Sequence, residues 1–127
     1  MSASGSGGTR VRVRGLRGAI CIAHDNPESV RSATREMLSA LLTRNGIDAD
    51  DVISAIFTVT PDIVSEFPAR AAREHGWTEV PMLCSTEIAV PGSVIRVVRV
   101  LLHVELPADI APRHVYLNGA EELRPDL

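Results

Sequence analysis

Two arginines stand at positions where the surrounding pattern favours an apolar side chain. Arg17 closes the stretch RVRVRGLRGA, residues 10–19. Read as a strand with period-two alternation, this stretch sets Arg10, Arg12 and Arg14 on one face and Val11, Val13 and Arg17 on the other. A guanidinium on the valine face implies either a bulge at Gly15 that resets the alternation or a pocket that holds something negative. Arg99, in VIRVVRVLLHV, shares a face with Ile95, Val97 and Leu101, while Arg96 lies with Val94, Val98 and Leu102. A buried, unpaired charge is costly, so each arginine must reach solvent, a protein carboxylate or a bound anion. Snorkelling near a strand end is the plain alternative. Glu87 follows the apolar segment VPMLCST, and Tyr116, the one tyrosine, sits in RHVYL. Singly these read as a loop carboxylate and a core or interface aromatic. Together with the arginines they suit a pocket for carboxylates, without naming a reaction.

Other chemistries find little support. The four histidines (His24, His75, His103, His114) are scattered and form no nucleophile–base motif or metal-ligand spacing. Cys84 is a candidate nucleophile, but a lone cysteine in an apolar segment reads first as a small hydrophobe. Cys21 and Cys84 lie far apart, with no CxxC pattern that would suggest zinc or a disulfide framework. GSGG precedes no strand-to-helix turn of the phosphate-cradling kind. No metal and no cofactor is expected. A net charge of −3 favours neither nucleic acid nor an anionic membrane. No apolar run reaches the roughly 20 residues of a membrane span, and the start has no signal-peptide core, so a cytoplasmic protein is expected.

The elements that must position these residues are legible in outline. Residues 1–10 read as a flexible Gly/Ser-rich tail, and residues 11–127 as one domain. A strand is expected over residues 11–22, broken by Gly15 and Gly18. A helix follows, capped by Asn26, with Pro27 in its first turn and a stop at Asn45-Gly46. Its stripe is Val30, Met37, Leu38, Leu41 and Leu42. Residues 51–60 form a nearly continuous apolar strand, so strand, helix and strand imply a parallel crossover. A short helix over 66–76, a strand over 79–85, a long strand over 94–106 and a short one over 113–117 complete the chain. The fold class is α/β: a mixed sheet of about five strands with two helices on one face. Only four aromatics make a core of Val, Ile, Leu and Ala that a small chain completes by oligomerising.

The ordered set RGLRGA, TPD, FPARAAR, VPMLCSTE, RVVRV, RHVYL and LRPDL resembles the AroH-type chorismate mutases, the small α/β class. The likeness runs from about Arg12 to Leu127. It implies a homotrimer whose sheets form a pseudo-barrel, with active sites between neighbouring subunits, converting chorismate to prephenate without a cofactor. By resemblance, Arg17 holds a substrate carboxylate, and Arg99 contacts the ether oxygen and a carboxylate. Glu87 and Cys84 hold the ring hydroxyl, Cys84 partly through its backbone, and Tyr116 donates to a carboxylate. Phe67, Ala69, Arg70 and Arg73 form a wall from the second helix, and Met82 and Leu83 continue it. Leu123 and Arg124 belong to a tail over the mouth. Position 70 is Arg where the family pattern has Lys, and Met82-Leu83 replaces a Val-Thr pair. The chemistry implied is a [3,3] rearrangement that needs no proton transfer and no nucleophile. Arg17, Arg99 and Glu87 would act by holding the reactive conformer and stabilising charge on the ether oxygen. Two other readings share an arginine and a glutamate on a small carboxylate. One is a YjgF-type trimer that hydrolyses enamines or imines, and the other is a non-catalytic trimer that senses a carboxylate metabolite.

Overall fold

The computed structural model describes residues 10–123, with the side chain of Leu123 excepted. Residues 1–9 of the tail expected over 1–10, and the site position Arg124, lie outside the described residues. Five strands, β1 (Val11–Cys21), β2 (Val52–Val59), β3 (Met82–Thr86), β4 (Val97–Pro107) and β5 (Val115–Leu117), form one sheet in the order β3-β2-β4-β1-β5. β4 runs antiparallel to β1 and β2 on either side of it, while β3 is parallel to β2 and β5 to β1. The strand–helix–strand unit is therefore parallel as expected, with β4 inserted between its two strands.

Both helices lie on one face. α1 (Pro27–Asn45) contacts β1, β4 and β5, and α2 (Pro68–Glu74) contacts α1 and β3. α1 starts where its sequence says. The Asn26 side chain accepts a hydrogen bond from the Ser29 N–H at 2.8 Å, and Pro27 spends no donor in the first turn. It stops at Gly46, whose φ of 63° is a conformation that glycine adopts at little cost. Val30, Met37, Leu38 and Leu41 are wholly buried against the sheet. Among the described residues, no helix is long and apolar enough to cross a membrane.

Alternation along β1 and β4 sorts the sheet into two faces. Leu16 and Ile20 on β1, with Val98, Val100, Leu102, Val104 and Leu106 on β4, face the helices and are buried. Arg17 and Ala19 on β1, and Arg99, Leu101 and His103 on β4, fall on the opposite, helix-free face. Two expectations need correction. Gly15 and Gly18 do not break β1, which pairs with β4 residue for residue from Val11↔Pro107 to Cys21↔Val97. β4 starts at Val97 rather than at 94. Arg96 takes a φ of 53°, and its N–H donates to Asp62 Oδ2 at 2.9 Å instead of joining the ladder.

Gly18 is needed for a close approach. A Cβ added there would lie 2.7 Å from Leu41 Cδ1, 3.1 Å from Met37 Cγ and 3.2 Å from Val100 Cγ1. The helix rests on this strand at a point with no room for a methyl group. Gly18→Ala is expected to destabilise the fold by about 1–3 kcal/mol through overpacking, seen as a lower urea midpoint. Shortening Leu41 to Val should cost less in the Gly18→Ala background than in the parent. Equal costs in the two backgrounds would show that the methyl group is accommodated elsewhere.

Candidate active site

The helix-free face carries a cluster of polar groups set by strand register. Tyr116 pairs with Ala19, Ala19 with Arg99, Arg99 with Thr58 and Thr58 with Ser85, so one row crosses all five strands. The neighbouring row on the same face is Arg17, Leu101, Ile56 and Leu83. Small Ala19 leaves space between Tyr116 and Arg99. A cavity of about 300 Å³ opens there, lined by Arg17, Ile56, Thr58, Arg99, Leu101 and Tyr116. Ala120, in the 3₁₀ turn Ala120–Leu123, packs with Ala19 and Val97 and closes one end of this face. Arg17 is therefore not displaced by a bulge. Strict alternation carries it into a cavity, and among the described residues no carboxylate forms a salt bridge with it.

Glu87 reaches this row from just beyond β3. Its N–H donates to the Val59 carbonyl at 2.9 Å, which extends the β2–β3 ladder by one bond and anchors the residue. Its Oε2 accepts from Thr58 Oγ1 at 2.6 Å and lies 3.0 Å from Arg99 Nε. The Arg99 Nε atom is buried, yet its N–H is not aligned on that oxygen, so the contact is an ion pair without a directed hydrogen bond. Arg99 is the strand arginine that meets a protein carboxylate, as its apolar surroundings required. Arg96 instead donates from its Nε to the Ile22 carbonyl at 3.2 Å, at the strand end.

β5 is held in place by two backbone clamps. Asn45 donates from Nδ2 to the Arg113 carbonyl at 2.9 Å and accepts the Arg113 N–H at 2.8 Å. His114 Nδ1 accepts the Arg17 N–H at 3.0 Å, which makes the neutral imidazole an Nε2–H tautomer. These bonds fix the backbone on either side of the cavity, at Arg17 and just before Tyr116.

Of the remaining expected site residues that are described, Leu83 shares this face and the others lie elsewhere on the chain. Phe67, Arg70 and Cys84 line a second cavity of about 640 Å³ at the β3 edge, together with Arg31 and Glu66. Cys84 pairs with buried Phe57 and so points to the helix side, away from Thr58. Arg73 is exposed on the last turn of α2, and Leu83 is exposed on the helix-free face. Ala69 is buried, and Met82 packs against the core, so these two side chains face inward. β3 is an edge strand. The Ala55 N–H donates to the Pro81 carbonyl and the Glu87 N–H to the Val59 carbonyl. Odd-numbered residues therefore face β2, and the N–H groups of Met82, Cys84 and Thr86 point outward along the free edge.

The segment between β2 and α2 is tied down by carboxylates. Asp25 accepts from Ser65 Oγ at 2.6 Å and from the Val64 N–H at 3.0 Å; the Ser65 hydroxyl, then the Val64 amide, holds its pKa below the ordinary value. Glu66 accepts from the Phe67 N–H at 2.9 Å and from Arg31 at 2.9 Å, with Arg70 3.7 Å away. The Phe67 amide lowers the Glu66 pKa most; burial opposes it, and Arg31 and Arg70 lower it further. Thr58 and Glu66 were not foreseen in the sequence. Thr58 showed there only as a hydroxyl in an apolar run.

These features define a class: a small α/β domain that presents two arginines, a glutamate and a tyrosine on an open sheet face. The chain belongs to the chorismate mutase type I family, whose profile matches residues 13–127. It is 50% identical over 118 residues to chorismate mutase AroH of Thermus thermophilus, covering 91% of this chain and 96% of that one. It is 37% identical over 118 residues to chorismate mutase AroH of Bacillus subtilis (strain 168), covering 91% of this chain and 92% of the other. A solved chorismate mutase from Clostridium thermocellum superposes with a TM-score of 0.82 at 41% identity, over 87% of this chain and 99% of that chain.

Glu66 gives a pH signature. Its folded pKa lies below the unfolded value, so its stabilisation is present above the ordinary carboxylate range and fades as pH falls through the folded pKa. Glu66→Gln should lower the urea midpoint at pH 7, and the gap to the parent should narrow as pH drops below about 4. A gap that stays constant with pH would assign the loss to packing.

Proposed function

We propose that this chain rearranges chorismate to prephenate within a homotrimer, by freezing the reactive conformer and stabilising the charge that grows on the ether oxygen. The supporting observation is the cavity that gathers Arg17, Arg99 and Tyr116 on rigid strands, with Arg99 fixed by Glu87, in a chain of this family. The substrate carries two carboxylates and a flexible side chain. A planar guanidinium can grip a carboxylate with two parallel bonds, so Arg17 is the clamp, and Tyr116 is a further donor. Holding the two reacting carbons together removes part of the entropic barrier before any bond changes. As the C–O bond lengthens, electron density collects on oxygen, and the Arg99 guanidinium binds that state better than the ground state. Glu87 takes the ring hydroxyl and so sets the ring against the side chain. No residue has to gain or lose a proton, and nothing attacks the substrate.

One chain supplies only part of this site. Phe67 and Arg70 line a different cavity from Arg17 and Arg99, and Arg73 is exposed on α2. The helix-free face also exposes Val11, Val13, Ile56, Leu83 and Leu101, an apolar surface that a second sheet would cover. We place the sheets of three chains face to face around a pseudo-barrel, so that α2 of one chain closes the open cavity of the next. This arrangement accounts for both the split site and the uncovered face. The domain spans residues 11–127 in this reading, and the enzyme works in the cytoplasm. The enamine-hydrolysing and metabolite-sensing readings are weakened by the family match and are excluded if chorismate is turned over.

Purified protein mixed with chorismate should deplete its ultraviolet absorbance and yield prephenate. Arg99→Gln is expected to lower kcat by at least about 10²- to 10³-fold, with a smaller change in KM. An unchanged kcat with weakened binding alone would remove Arg99 from the transition state. The shared site has its own test. Co-expression of Arg99→Gln and Arg73→Ala, each inactive alone, should restore about a quarter of the parent's sites, because a mixed trimer can assemble one intact site from two chains. Lack of recovery in trimers shown to be mixed would place the whole site within one chain.

A further inference from the structure

We propose that Thr58 is a positioning residue for the rearrangement, acting through Glu87 on Arg99. The inference rests on the roles given to Arg99 and Glu87 above and adds a residue to them. Thr58 sits directly opposite Arg99 across the β2–β4 ladder, and its hydroxyl donates to Glu87 Oε2 at 2.6 Å. The same oxygen faces Arg99 Nε at 3.0 Å. One carboxylate oxygen therefore carries both side-chain contacts, and Oε1 has no hydrogen-bond partner among the described residues.

The division of labour follows from geometry. An ion pair by itself is weakly directional, and the Arg99 Nε–H is not aimed at Oε2. Attraction alone would let the carboxylate swing until it met the guanidinium with both oxygens, the favoured fork-to-fork arrangement. That pairing would use two N–H edges of Arg99 and both oxygens of Glu87, leaving less of either for a ligand. Thr58 opposes it. Its single O–H proton pins Oε2 on the β2 side, so Oε1 stays available to a substrate hydroxyl and the terminal nitrogens of Arg99 stay available to the ether oxygen. A β-branched side chain suits the task because its χ1 is stiff, and β2 is held on both sides by neighbouring strands. The Thr58 residue also lines the cavity beside Ile56, so the hydroxyl is held next to an apolar wall.

The test uses the full-length protein and chorismate. Thr58→Val keeps the shape and removes the donor. It should lower kcat by about ten- to hundred-fold, the range for losing a hydrogen bond to a charged group, with a smaller change in KM. Thr58→Ser, which restores the hydroxyl, should recover activity to within about threefold of the parent. In a Glu87→Gln background, Thr58→Val should add little, because its effect passes through Glu87. Equal kcat in Thr58→Val and the parent, failure of Ser to rescue, or fully additive losses with Glu87→Gln would each overturn the proposal. Should the valine variant fold poorly, as judged by circular dichroism, Thr58→Ala carries the same comparison. A parent that leaves chorismate untouched sinks the mutase reading itself, which keeps the two failures apart.

Discussion

The contact between Arg99 and Glu87 organises the helix-free face of this sheet. A guanidinium in the middle of a five-stranded sheet is costly to desolvate unless something negative meets it. Here the partner comes from outside the strand pattern. Glu87 sits one residue beyond β3, and its main chain is locked to β2 by the bond from its N–H to Val59. Strand pairing thus delivers the cation, and a ladder bond delivers the anion. The pair is only partly buried, with 42% of the Arg99 side chain and 19% of the Glu87 side chain still exposed. Partial exposure lowers the desolvation cost and leaves surface on both groups for a ligand to bind.

Placing this pair on the helix-free face allows the other face to be an ordinary apolar core. α1 presses on β1 closely enough that Gly18 has no room for a side chain, and Leu16, Ile20, Val98, Val100 and Leu102 are buried beneath the helices. Loops that carry site groups are then fastened by polar clamps rather than by burial. Asn45 holds the approach to β5, and Asp25 and Glu66 hold the approach to α2. Asp25 and Glu66 have pKa values lowered by the donors they accept, so they remain ionised clamps at neutral pH. Fold stability and site geometry draw on different faces of one sheet.

The sequence revealed periodic features and hid those that depend on pairing. The caps and stop of α1, the apolar run of β2 and the anomaly of Arg17 were all visible, because each is a local departure from a simple period. Gly15 and Gly18 misled, since a glycine that permits close packing looks the same in sequence as one that ends a strand. The start of β4 is also hidden in the sequence. Its apolar pattern extends back to Val94, but Arg96 enters the left-handed region and gives its N–H to Asp62, a contact between residues far apart in sequence. Thr58 could not be recognised before the register was known. Its partners come from β4 and from the residue after β3, so nothing in its local sequence separates it from a threonine that merely suits a strand. The family resemblance supplied roles for Arg17, Arg99, Glu87 and Tyr116 that spacing alone did not.

Charge balance explains why such a site would be shared between chains. Around the cavity, Arg17 and Arg99 stand against Glu87, a net charge of one positive unit toward a ligand with two carboxylates. Arg99 is in part occupied by its partner, at the expense of some of its field. Arg70 is similarly engaged, with Glu66 and Glu74 each 3.7 Å away, whereas among the described residues Arg73 has no salt-bridge partner. Bringing α2 of a neighbour over the cavity would add that second free cation and exclude water in the same step. Excluding water strengthens every electrostatic contact inside, including the proposed one in which Arg99 stabilises charge on the ether oxygen. An isolated chain leaves the same groups facing solvent, where their field is screened. In the proposed trimer, assembly is therefore part of the catalytic electrostatics as well as the cover for an exposed apolar face.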